Sequence, residues 1–443
     1  VTGSGVTRRQ LWNTVGVHRV QRGFLVRLGI VAGLAFLVRA VYVAALAPPA
    51  TGPNDTFWYG FVSAAIANGH GFAIPHAAPG SALGFALGPT AQHPPLYPLA
   101  LAGLRELGIA SPRSLLWLGP VTGTVTVAGI GLLGRSLVSE RVGLIGAAVA
   151  SVYPLLVVAD GALLSETMYG PVIVAILGVA LALAHRPSAR SAALLGALIG
   201  VAALVRSEAI GFIVLLALPL AWPGPGGWAR LGRLAASVAC MLVVITPWVV
   251  RNLDAFGSPI LSTNDGVTTL WSNCPLTYSG PHLGYFDAGC KSTSPLTGNE
   301  AHQAAQMRRQ GVRYAEDHAG RVPIVVLARV ARTWGLFHPF QGSTAAGRNV
   351  TISNIGVVLY YPLALLAVVG GWALRRRRLK LWIIVAPLVL ATLTAVTTFG
   401  SLRLRYVAEP SLVLLAAAGA DALWRRRGAV RPTAPAVRTA VPS

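Results

Sequence analysis

The sequence predicts an all-α polytopic membrane protein with about ten transmembrane helices. Three observations carry that expectation. Of its 443 residues, 54% are hydrophobic and only 11% charged, so a soluble fold would leave most of the apolar surface with no core to enter. Apolar runs at or near the roughly 20 residues needed to cross about 30 Å of hydrocarbon recur along the chain. The net charge of +22 is gathered in short blocks between those runs: Arg135 with Arg141, Arg186 with Arg190, Arg230 with Arg233, Arg375 through Lys380, and Arg425 through Arg427. A nucleic-acid binder would instead present a basic face on a soluble domain, so no nucleic-acid partner is expected. Basic blocks of this kind mark the cytoplasmic segments of a protein embedded in a lipid bilayer.

With the N-terminus inside, ten spans follow in order: 24–45, 113–134, 142–159, 167–184, 191–205, 209–222, 235–250, 352–374, 381–399 and 407–424. The first is too long, and too closely followed by others, to be a cleaved signal peptide. Residues 94–104 are apolar but too short to span, and counting them would put Arg135 and Arg141 outside, so they are laid along the outer membrane surface. Residues 323–337 are treated alike, because Arg329 and Arg332 would be costly at mid-bilayer. The chain divides into a cytoplasmic segment, 1–23, a transmembrane domain, 24–425, and a disordered cytoplasmic tail, 426–443, rich in Ala, Pro and Arg. The expected location is the plasma membrane, with both termini cytoplasmic.

This topology sorts the acids. Apart from Glu140 and Asp421, every Asp and Glu falls on or near the outer side. Two long outer loops, 46–112 and 251–351, emerge there, and loops of that size are functional or disordered. Their Trp58, Tyr59, Trp271, Tyr278, Tyr285, Phe286 and Trp334 fit either an ordered loop or an interfacial aromatic belt. Cys240 lies in an apolar run as a small buried thiol. Cys274 and Cys290 flank a polar outer segment where a disulfide can persist, although spacing alone does not bring their Cα atoms together.

Asp55 follows the first span, next to the membrane surface, and reads either as a helix cap or as a carboxylate acting on a lipid-held substrate. His93, Trp58, Tyr97 and Glu208 are candidates for positioning that substrate, with a structural hydrogen-bonding role the alternative for His93. Arg206, Arg251, Arg403 and Arg405 lie at outer helix ends, where guanidinium forks can grip a lipid phosphate or snorkel to the head groups. Asp160 and Glu166, about two turns apart, are further catalytic candidates that can position an acceptor, orient those arginines, or form a structural ion pair. No cofactor is required by this pattern; a divalent metal is compatible with it.

An acid just after the first span, then Gly69-His70-Gly71-Phe72 and His93-Pro94-Pro95-Leu96-Tyr97-Pro98, resembles the first outer loop of the GT-C glycosyltransferases related to protein O-mannosyltransferases and lipid A aminoarabinose transferases. The likeness continues through Leu164-Ser165-Glu166-Thr167-Met168-Tyr169, Val205-Arg206-Ser207-Glu208-Ala209, Thr246-Pro247-Trp248-Val249-Val250-Arg251-Asn252 and Arg403-Leu404-Arg405-Tyr406-Val407-Ala408-Glu409-Pro410, loosely covering 20–425. The resemblance implies a GT-C-like fold and transfer of a sugar from a polyprenyl-phosphate donor to an envelope glycan, lipid or protein on the outer face, with Asp55 as base. Two other readings stay open: a transporter or flippase, and a non-catalytic envelope assembly protein.

Overall fold

The computed structural model describes residues 8–48, 55–77, 85–221, 226–341 and 347–429, with side chains over 22–48, 55–75, 87–221, 226–341 and 347–426. Most of the expected tail, and Asn54, lie outside the described residues. The molecule is a helical bundle. Among the described residues, seven helices are long and apolar enough to cross a membrane: Arg22–Leu46, Pro112–Leu137, Glu166–His185, Gly227–Phe256, Val350–Leu374, Arg378–Thr397 and Leu402–Arg426. A bent pair, Glu140–Val152 and Pro154–Asp160, meets at 59° and makes an eighth crossing if it is one span. Proline excludes the preceding residue from helical geometry, and Tyr153 is extended, so the single span expected over 142–159 bends there.

The expected count of ten is not reached by length and composition. The segments read as spans five and six are the shorter helices Ala189–Val205 and Ser207–Ala221. The second opens with a tight 3₁₀ turn, Ser207–Gly211, and continues through a wide turn, Ile213–Ala217. Residues 94–104 form the short helix Leu96–Glu106, and 323–337 the helix Val322–Thr333.

The two long loops expected outside are structured over their described residues. Ala73–Ala77 and Phe85–Pro89 pair as an antiparallel hairpin in register Ala73↔Pro89 to Ala77↔Phe85, an addition to the all-α expectation. Helices Asn264–Ser272 and Glu300–Asp317 build much of the second loop.

Close helix contacts rest on glycine, as expected where lipid gives no hydrophobic drive for association. A Cβ on Gly370 would stand 1.8 Å from the Leu415 carbonyl oxygen, and one on Gly419 2.1 Å from that of Leu366, so helices Val350–Leu374 and Glu409–Ala429 meet backbone to backbone. Outward faces are apolar, with Val243 and Val368 exposed. A separate apolar cluster including Tyr42, Tyr59, Val62, Tyr97, Leu101 and Leu164 clamps helix Asp55–Ala67 to the bundle and fixes the start of that helix.

Candidate active site

Asp55 is the first residue of helix Asp55–Ala67, and both of its carboxylate oxygens face side chains across a cavity. Oδ2 accepts from Arg403 Nη1 at 2.5 Å, and Oδ1 is 3.4 Å from His93 Nε2. Arg403 also donates through Nε and Nη2 to Glu166, whose carboxylate is fully buried at the start of helix Glu166–His185. Arg206 Nη1 lies 3.3 Å from Glu166 Oε1, and its Nε donates to Glu208 at 2.6 Å. Alternating charges thus run Asp55, Arg403, Glu166, Arg206, Glu208, with the His93 ring beside Asp55. Each stands at a helix end or in the turn beside one, where backbone breaks leave room for side chains to converge.

Burial alone would raise the Asp55 carboxyl. The Arg403 guanidinium and then His93 outweigh it and hold the group well below the usual carboxylate range. His93 is itself held by rings, Trp58 at 4.8 Å and Tyr59 at 5.0 Å between centroids, and Tyr97 packs edge-on behind Tyr59 at 4.8 Å. Trp58 and Tyr97 therefore back the site rather than line it.

The cavity has a volume of about 730 Å³. Its polar end carries Asp55, His93, Arg206, Glu208, Arg348 and Arg403; its other flank is apolar, with Leu390, Leu393 and Phe399. Leu393, on helix Arg378–Thr397, is exposed, whereas Leu390 one turn earlier is buried. Among the described residues, no group of three or more His, Cys, Asp and Glu is arranged to hold a metal ion. The cavity's acids Asp55, Glu208 and Asp265, and Glu166 buried behind Arg403, are each engaged by guanidinium groups.

Three sequence candidates stand apart from this cavity. Asp160 is buried against Arg39, which donates to it at 2.6 Å and also donates to the Ser151, Ala150 and Ala35 carbonyls, while the Tyr406 hydroxyl donates to the other Asp160 oxygen at 3.2 Å. The pair lies on bare helix backbone: a Cβ on Gly123 would meet Asp160 Oδ2 at 2.2 Å and Arg39 Nε at 2.3 Å. Arg405 is fully buried, paired with Glu409 at 2.8 Å and stacked 3.6 Å over the Tyr360 ring. Arg251 donates to the Thr90 and Phe72 carbonyls at 2.9 and 2.8 Å, pinning the foot of the hairpin. All three lie near helix ends like the site residues, but each is engaged by partners away from the cavity.

Arg348, outside the sequence candidates, lines the cavity. Its Nη2 is 3.8 Å from Glu166, and its Nε and Nη2 are buried with no hydrogen-bond partner. Burial, reinforced by neighbouring Arg403, outweighs Glu166 and lowers its pKa from the ordinary guanidinium value. Its only sequence signal is an arginine two residues before an outer helix end.

The second loop closes the cavity's remaining side. Cys274 and Cys290 are bonded, with Cα atoms 6.0 Å apart. Arg329 donates to the Ser272 carbonyl at 2.7 Å, and Arg332 to the Leu283 and Pro281 carbonyls at 2.6 Å each. These two arginines, troublesome for a span, staple the loop instead.

Residues 92–250 match the family model of dolichyl-phosphate-mannose-protein mannosyltransferases. No curated protein matches the sequence. The apo crystal structure of the Archaeoglobus fulgidus oligosaccharyltransferase aligns with a TM-score of 0.51 at 13% identity, over 91% of this chain and 51% of that one. The oligosaccharyltransferase AglB from Archaeoglobus fulgidus, in complex with an inhibitory peptide and a dolichol-phosphate, aligns with a TM-score of 0.52 at 15% identity, over 92% and 52%. ArnT from Cupriavidus metallidurans, bound to undecaprenyl phosphate, gives 0.41 at 14% identity, over 90% and 78%. At these identities the archaeal likeness is one of fold, and the chain spans about half the length of those two structures.

Proposed function

We propose that this chain, which has the GT-C fold of membrane glycosyltransferases, transfers a hexosyl or pentosyl unit from a polyprenyl-phosphate donor to an envelope acceptor on the outer face. The observation that carries the reading is the two-ended cavity. Its arginines and carboxylates suit a sugar phosphate, and its flank of Leu390, Leu393 and Phe399 suits an isoprenoid chain. The dolichol-phosphate held by the archaeal relative is a carrier of the same chemical class.

The chemistry follows from the residues. The acceptor oxygen attacks the anomeric carbon and its proton passes to the Asp55 carboxylate. The bond from that carbon to the phosphate oxygen breaks with its electron pair on the phosphate, and attack from the opposite face inverts the centre. Arg403, Arg206 and Arg348 hold the departing charge in a partly dry site, where guanidinium contacts to phosphate are strong. At rest Arg403 is spent on Asp55 and Glu166. An arriving phosphate competes for Arg403 and leaves Asp55 more basic, so donor binding prepares the base.

A transport path would place its charges midway along the spans. Here they lie at helix ends. Purified protein in lipid nanodiscs, given synthetic polyprenyl-phosphate sugars and a panel of glycoside, lipid and peptide acceptors, should form a new glycosidic bond. Donor bound with no transfer to any acceptor or to water would contradict the reading.

A further inference from the structure

The wall facing the arginine cluster is aromatic. Trp271, Tyr285 and Phe286 line the same cavity as Asp55 and are half-buried. The Trp271 and Phe286 planes are within 13° of parallel at 6.4 Å, and Tyr285 packs on Phe286 at 4.6 Å. The wall is rigid by construction. The Asp287 N–H donates to the Trp271 carbonyl at 2.9 Å, the disulfide joins the segments just beyond, and the Arg332 guanidinium lies 5.4 Å from the Tyr285 ring centre. About two turns and one turn before Trp271, Asn264 and Thr268 bring an amide and a hydroxyl to the same cavity.

We propose that this wall is a sugar-ring subsite, in which one saccharide ring of the substrate pair stacks on Trp271 and Phe286 while its hydroxyls meet Asn264 and Thr268. The electron-rich face of an aromatic ring attracts the weakly positive C–H groups on one side of a sugar, and the amide and hydroxyl can both donate and accept. An isoprenoid tail needs neither polar group, and the cavity flank at Leu390 and Leu393 already offers it apolar surface. The ring's source is the donor or the acceptor. The transferase reading supplies that pair, but the subsite's existence is testable without turnover.

The test uses full-length protein in nanodiscs. Saturation-transfer NMR follows a panel of methyl pyranosides and furanosides, with farnesyl phosphate as a sugar-free probe of the phosphate and tail positions. At least one glycoside should bind, and Trp271→Leu should weaken it roughly threefold to tenfold, with Trp271→Phe restoring it and farnesyl phosphate unaffected. Asn264→Ala, which leaves the rings in place, should weaken the same glycoside. Displacement by synthetic polyprenyl-phosphate mannose assigns the ring to the donor; persistence assigns it to the acceptor. The proposal is overturned if no glycoside depends on Trp271 and Asn264, or if Trp271→Leu weakens farnesyl phosphate as much. Glycoside binding without sugar transfer would remove the transferase reading and leave the subsite standing.

Discussion

At Arg348 two guanidinium nitrogens are buried without a protein acceptor, and the carboxylate beside it, Glu166, is shared with Arg403 and Arg206. A buried donor left unmade costs free energy, and a bound phosphate would recover it. Arg348→Gln should therefore weaken farnesyl phosphate binding by about tenfold to a hundredfold, on the magnitude of a charge-assisted hydrogen bond, without lowering the melting temperature. Unchanged binding would take Arg348 out of the phosphate site. Asp55 gives a pH prediction. Its carboxyl is held well below its ordinary 3.8, so the anion persists through neutral pH, and its contribution to folding is complete above that value and lost as pH falls through the lowered one. Donor-free protein should show no loss of thermal stability from this group between about pH 7 and pH 4, a comparison made by melting wild type and Asp55→Asn side by side. Asp55, Glu166, Arg206 and Arg403 were legible because each is a charge at a helix end in an apolar chain. Arg39 and Arg348 were not, since one looks like a flank of the first span and the other sits in a loop without a motif.

Arg251 shows how an element is held. Its two Nη groups grip carbonyls at the foot of the hairpin, and its guanidinium lies 5.1 Å from the Trp248 ring centre. Lysine cannot span two carbonyls in a fixed plane. Arg251→Lys should raise amide exchange in 72–93, read by mass spectrometry, while farnesyl phosphate affinity stays within about twofold, because Arg251 is not a cavity residue. Unchanged exchange with weakened phosphate binding would return Arg251 to the donor site. Hydropathy gives depth in the membrane, which is why the interfacial helices and most spans could be read from the sequence. It does not give direction around a helix axis. Arg251, Arg405 and Asp160 lie near helix ends like the site residues and are engaged by partners away from the cavity. The hairpin escaped notice because its strands are short and rich in Gly, Ala and Pro, with no run of β-branched residues to announce them.

Across the whole molecule, the charged cluster at the cavity is assembled from six separate stretches of chain: Asp55, His93, Glu166, Arg206 with Glu208, Arg348 and Arg403. The long helices fix these ends relative to one another, and glycine contacts such as Gly370 against Leu415 leave them little play. In the proposed transferase this assembly makes Asp55 the base for sugar transfer, and substitution by asparagine isolates that role. Asn keeps the size of Asp and caps a helix about as well, but it cannot accept the acceptor's proton. Single-turnover transfer should be measured with purified Asp55→Asn protein in nanodiscs, folded by its melting curve and loaded with a donor that the wild type turns over. A fall on the order of 100-fold to 10,000-fold with donor still bound is the predicted result. Transfer at close to the wild-type rate would contradict it.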